Sequence, residues 1–254
     1  MKRTLVFLGV AFALTASPTF AQAPPLEHFQ CYVVLRAEPP FVVKVGLKDQ
    51  FTTEDVEVAR ARRFCNPTFK FHRNQLFRIE DVRQHLTFYA TFPQDGPLRF
   101  VALSNQFNPP GAAQQVWRVR EAVSLAVPTH NPPHDRPVGL DHYRCYAANG
   151  NQTFEQVGLL DQFLPFGGRV VLDPVLFCNP VEKTDPAGVV TPILQPDVHM
   201  ACYSMTRVPF QTSRDIINQF GPQVVALGPP DTLCVPTRKI GFVTIPDAPI
   251  GQEP

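Results

Sequence analysis

His28-Phe29-Gln30-Cys31-Tyr32 recurs as His142-Tyr143-Arg144-Cys145-Tyr146 and His199-Met200-Ala201-Cys202-Tyr203, and without its cysteine as His85-Leu86-Thr87-Phe88-Tyr89. The four histidines stand 57 residues apart each time, so the chain is a fourfold repeat of that period. A second signature follows in each repeat: Leu47-Lys48-Asp49-Gln50-Phe51, Leu103-Ser104-Asn105-Gln106-Phe107, Leu159-Leu160-Asp161-Gln162-Phe163 and Ile216-Ile217-Asn218-Gln219-Phe220. A third closes it: Phe64-Cys65-Asn66-Pro67, Leu125-Ala126-Val127-Pro128, Phe177-Cys178-Asn179-Pro180 and Leu233-Cys234-Val235-Pro236.

Repeat two lacks both cysteines, with Phe88 and Ala126 in their places. Six cysteines allow 15 pairings, but joint loss of two is expected only if they are partners. The predicted disulfides are therefore Cys31–Cys65, Cys145–Cys178 and Cys202–Cys234, with Phe88 and Ala126 filling the vacated space with hydrocarbon.

Repeats one and three share Asp-Gln-Phe and Cys-Asn-Pro, whereas two and four share Asn-Gln-Phe and Val-Pro-Thr. A two-repeat unit of 114 residues duplicated whole accounts for this alternation. It predicts two domains, 26–131 (repeats 26–70 and 83–131) and 138–245 (repeats 140–183 and 197–239). A stiff proline-rich linker over 132–137 separates them.

Proline supplies 28 of 254 residues, about twice the usual ~5 per cent, and each interior proline deletes a helix hydrogen bond. Glu54 to Arg63 taken alone reads as a helix, but repeats three and four carry Pro165, Pro174, Pro222, Pro229 and Pro230 in the same interval. A shared fold makes this interval a strand with a bend. Asp95-Gly96 and Asn149-Gly150 signal tight hairpins, which makes the first two signatures antiparallel neighbours. The expected class is all-β, with about 12 strands in two tandem disulfide-stapled sandwich or barrel-like domains. The rival architecture is a four-bladed propeller-like ring.

Met1-Lys2-Arg3, an apolar run from Leu5 to Ala16 and Thr19-Phe20-Ala21 read as a secretory signal over residues 1–21. Its apolar core falls short of the ~20 residues that span a bilayer, so no transmembrane anchor is expected after cleavage, and the protein is exported to the periplasm or medium. Loss of Lys2 and Arg3 takes the formal charge from +1 to −1, leaving no global attraction to nucleic acid. An even cysteine count suits an oxidising compartment.

Histidines 28, 85, 142 and 199, and with them Gln50, Gln106, Gln162 and Gln219, read as structural motif residues. Each histidine would fix its own repeat, for instance through the Asp or Asn before Gln-Phe. No metal or other cofactor is expected, either at these histidines or in the His130-to-Asp135 tract. Arg60, Arg62, Arg63, Lys70, Arg73 and Arg78 form a basic stretch that could meet an acidic partner, but acidic neighbours make a solvated, compensated face the simpler reading. Trp117 belongs to the core. No nucleophile elbow, HExxH or phosphate loop is present.

These signatures, with Lys70, Lys183 and Lys239 a few residues after the third, resemble a family of uncharacterised repeat domains in exported bacterial proteins. The resemblance covers nearly all of the chain beyond the export signal and implies a paired-repeat domain; it brings no activity and no active-site residues. The expected function is an exported non-enzymatic binding or surface-structural protein, with cell-envelope polysaccharide or protein as the candidate partner. The alternative is a secreted hydrolase or other enzyme with a site assembled between the two domains.

Overall fold

The computed structural model describes residues 25–107 and 115–245; the signal expected over 1–21 lies outside them. Every element among the described residues is a strand. Repeat one supplies β1 (Phe29–Glu38), β2 (Val43–Lys48) and β3 (Thr53–Pro67), followed by a small hairpin of β4 (Phe69–His72) and β5 (Gln75–Phe77). Repeat two supplies β6 (His85–Phe92), β7 (Leu98–Ser104) and β8 (Gln115–Thr129). Repeat three gives β9 (His142–Asn149), β10 (Glu155–Leu160) and β11 (Gly167–Thr184), with the two-residue β12 (Val190–Thr191) behind it. Repeat four gives β13 (His199–Met205), β14 (Thr212–Asn218) and β15 (Gly221–Ile245). The Glu54-to-Arg63 interval is strand, as the prolines of its equivalents require; Val56, Val58 and Ala61 are buried in it while Glu57 and Arg60 are not.

Within each repeat the first-signature strand pairs antiparallel with the third-signature strand: β1 with β3, β6 with β8, β9 with β11 and β13 with β15. Successive repeats then join, β3 to β6, β8 to β9, β11 to β13 and β15 back to β1. Eight strands thereby close one ring through all four repeats, and no first-signature strand keeps a free edge, the liability that closure removes. Because β8 pairs β9 and β15 pairs β1 across the expected domain boundary, the division into two tandem domains is not confirmed. Nor do the repeats form separate propeller blades.

The expected pairing of the first two signatures does not occur. No ladder joins β6 to β7 or β9 to β10, because both edges of every first-signature strand are already used in the ring. The middle strand pairs instead with the leading half of the third, as in β2–β3, β7–β8, β10–β11 and β14–β15. These hairpins are arms that leave the ring.

Inside the ring, disulfides join Cys31–Cys65, Cys145–Cys178 and Cys202–Cys234, each between residues directly opposite in a ladder, with Cα atoms 4.0, 4.1 and 4.0 Å apart. Phe88 stands opposite Ala126 in the same register. All eight side chains are buried in one cluster with Phe29, Leu86, Tyr143 and Met200. Two of the disulfides touch, Cys31 Sγ lying 3.9 Å from Cys234 Sγ. By chain entropy each loop of this size contributes about 3–4 kcal/mol. The outer face of the ring is covered by the arms, so its strands are buried on both faces, as the run His85 to Thr91 illustrates. Trp117 is fully buried there, edge-on to Tyr203.

Candidate functional site

The second signature is a docking device. Asp49, Asn105, Asp161 and Asn218 each accept, through Oδ1, the backbone N–H of the phenylalanine two residues on, at 2.8, 2.9, 2.8 and 2.9 Å. This is the local turn that Asp and Asn favour, and it explains their place before Gln-Phe. The outer atoms then reach across to the tyrosine of the repeat two places away. Tyr146 Oη donates to Asp49 Oδ2 at 2.9 Å and Tyr32 Oη to Asp161 Oδ2 at 2.8 Å. Asn105 Nδ2 donates to Tyr203 Oη at 2.9 Å and Asn218 Nδ2 to Tyr89 Oη at 2.7 Å.

The alternation of odd and even repeats follows from donor and acceptor chemistry. A carboxylate needs donors: Asn179 Nδ2 donates to Asp49 at 3.0 Å and Asn66 Nδ2 to Asp161 at 3.4 Å. A carboxamide donates and needs acceptors: Asn105 and Asn218 reach Thr237 and Thr129 hydroxyls at 3.3 and 3.4 Å. Repeats one and three therefore exchange arms with each other, as do two and four. The histidines do not bond to the Asp or Asn of their own repeat.

Docking builds four equivalent corners. Each assembles a repeat's histidine, the residue five places after its third-signature cysteine position, and the glutamine of the next repeat. Corner one holds His28, Lys70 and Gln106. Corner two holds His85, Asn131 and Gln162; corner three His142, Lys183 and Gln219; corner four His199, Lys239 and Gln50. The histidines thus occupy four separate places, and among the described residues no group of three or more His, Cys, Asp or Glu is arranged to hold a metal. Burial pulls His28 and His85 down to about 3 and His142 and His199 down to about 4, so all four imidazoles are neutral. The nearby lysine cation adds to this at three of them, and His134 does so at His85.

Three corners are filled by the chain itself, although Lys70 Nζ and the Gln106 amide in corner one, Asn131 Oδ1 in corner two and His199 Nε2 in corner four have no hydrogen-bond partner among the described residues. In corner one Lys70 is fully buried with Nζ 3.7 Å above the Phe77 ring, and burial lowers it to about 7. His72 and Glu155, 3.0 Å apart, lie beside it. In corner two His85 Nδ1–H donates to Asn66 Oδ1 at 3.1 Å and Nε2 accepts from His134 at 2.9 Å. A hollow of about 330 Å³ remains there, across which Arg214 lies on Phe163. In corner four Lys239 donates to Gln50 Oε1 and to Asn179 Oδ1, and Arg99 covers Phe51 at 4.8 Å. Burial brings Lys239 down to about 8.

Corner three differs. His142 Nε2–H donates to Gln219 Oε1 at 2.9 Å, which leaves the Gln219 amide nitrogen without a partner among the described residues. Lys183 is only 3% exposed and makes no hydrogen bond or ion pair with any described residue. Burial lowers its pKa, with Asp185 the opposing influence. Both side chains line a cavity of about 290 Å³ walled by Phe41, Val43, Val45 and Phe220, with Asp185 and Pro186 at its edge. The docking strand decides the difference. At the place of Val43 repeats two and three carry Arg99 and Glu155, and at the place of Val45 repeat four carries Arg214; repeat one carries valine at both and leaves the corner open.

Two other concavities are self-compensated. The larger, about 750 Å³ beside β2 and the end of β11, is crossed by the ion pairs Lys44–Asp55 and Lys48–Glu182. The other, about 400 Å³ at one mouth of the ring, centres on Asp231, which takes Arg63 at 2.9 Å and Arg207 at 3.5 Å. The basic stretch is thereby divided: Arg63 serves the ring mouth, Lys70 is inside corner one, and Arg73 pairs with Glu155.

Comparison with known protein families, curated proteins and solved structures found no match. The fold and site define a disulfide-stapled all-β ring with one open, lysine-bearing corner. Three disulfides accord with an oxidising, exported location, and among the described residues no helix is long and apolar enough to cross a membrane.

Proposed function

We propose that this is an exported, non-enzymatic binding protein whose ligand site is the open corner around Lys183. The observation that carries the reading is the internal comparison. Of the three corner lysines, Lys70 is packed against the Phe77 ring and Lys239 is hydrogen-bonded by the chain, whereas Lys183 and the Gln219 amide border a cavity and make no hydrogen bond across it. A ligand that bonds the Lys183 ammonium and the Gln219 amide gains hydrogen bonds that the chain itself leaves open, one of them charge-assisted. A cavity of about 290 Å³ stands at the lower end of the ~300–1,000 Å³ typical of small-molecule sites. The disulfide ring behind it supplies the rigid support a preorganised site needs.

Saturation-transfer NMR with monocyclic aromatic probes tests this. Binding is expected to the wild-type protein and not to Val43→Arg, which gives repeat one the plug that repeat two carries as Arg99. Equal binding to the variant, or none to the wild type, contradicts the assignment.

A further inference from the structure

Resting on that reading, we infer that the open corner takes a small organic anion: a carboxylate carried on a single ring or a short branched chain. Of the three polar residues that line the cavity, Lys183 and Gln219 are donors and Asp185 is the one carboxylate. Lys183 offers an ammonium and Gln219 a carboxamide N–H₂ whose oxygen is already occupied by His142. His142 offers no second charge, since its burial keeps the ring neutral. The one carboxylate on the rim, Asp185, has its Oδ1 engaged by the backbone N–H groups of Ala187 and Val189, at 2.9 Å each, and it makes no ion pair with Lys183.

Asp185 acts on Lys183 only at a distance and neither donor is bonded to an acceptor across the cavity, so a ligand carboxylate supplies acceptors for both in one planar group. The opposite wall fixes the rest of the ligand. Phe41 and Phe220 lie 4.9 Å apart as a tilted pair, and with Val43 and Val45 they present only hydrocarbon to the cavity. A second charge or a sugar hydroxyl on that side would lose its water without gaining a partner. Size excludes large amphiphiles, because the cavity holds little more than one ring.

Isothermal titration calorimetry with benzoate, its neutral isostere benzamide and the cation benzylamine tests the class. Benzoate is expected to bind at least about tenfold tighter than benzamide, the difference one charge-assisted hydrogen bond makes, and benzylamine not at all. Lys183→Met, whose hydrocarbon fits the same stem, should retain benzamide binding and the wild-type melting temperature while losing the preference for benzoate. Benzamide or benzylamine binding as tightly as benzoate, or a preference that survives Lys183→Met, overturns the anion assignment while leaving the corner a binding site. Failure of every probe to bind the wild type removes both conclusions.

Discussion

Phe88 faces Ala126 across the β6–β8 ladder at the position that a disulfide occupies in each of the other three repeats. The ring interior is thus filled at one quarter by packing alone. Phe88→Ala should cost about 3–5 kcal/mol, the usual range for opening an aromatic-sized hole in a tight core, read from denaturant midpoints at unchanged slope. A loss below about 1 kcal/mol would mean that the sulfur belt, not Phe88, fills this quarter.

Tyr146 answers to Asp49, 97 residues away, and not to Asp161 of its own repeat. A double-mutant cycle with Tyr146→Phe and Asp49→Asn should return a coupling of about 0.5–3 kcal/mol, as directly bonded pairs do. The same cycle with Asp161→Asn should be additive within about 0.5 kcal/mol. Reversal of the two results would place the arms on their own repeats.

Stability should rise with pH between about 5 and 9. The four motif histidines, three of them buried and His28 partly so, are held at about 3 to 4 when folded, below the ~6.5 of an unfolded chain. As pH falls through 6.5 the unfolded state takes up protons that the folded state refuses, and each histidine withdraws up to about 1.4 kcal/mol per pH unit. Lys70 and Lys239, lowered to about 7 and 8, act with the same sign up to the unfolded lysine value. Glu27, Asp141 and Asp161 are raised by burial and oppose the trend only where carboxylates titrate. The buried tyrosines are also raised, Tyr89 to about 12, and so withdraw stability above the unfolded ~10. Urea unfolding at intervals from pH 5 to 10 should therefore peak near 9; a maximum near 6 would contradict the burial of these groups.

Much of this was legible in the sequence. The 57-residue spacing and the joint loss of Cys at 88 and 126 carried the repeat, the disulfide pairing and the hydrocarbon fill, because a covalent pair must be gained or lost together. The strand at Glu54 to Arg63 was legible only through the prolines of its equivalents. Docking was not legible: the alternation of Asp-Gln-Phe with Asn-Gln-Phe fits whole-unit duplication as well as exchange between alternate repeats. What decides is which atom donates to Tyr32, Tyr89, Tyr146 and Tyr203, and that appears only in three dimensions. The open corner was missed for a related reason. Its signal is Val43 and Val45 where equivalents carry Arg99, Glu155 or Arg214, three different residues that form no motif.

The four repeats make one interlocked ring, with corner three built from repeats one, three and four. Separate production of segments 26–131 and 138–245 under oxidising conditions tests it most directly, read by dispersion of amide NMR signals. Neither segment alone should show native dispersion, and mixing them should restore it together with probe binding at Lys183. A cooperatively folded, dispersed 138–245 segment on its own would contradict the ring and restore two independent domains.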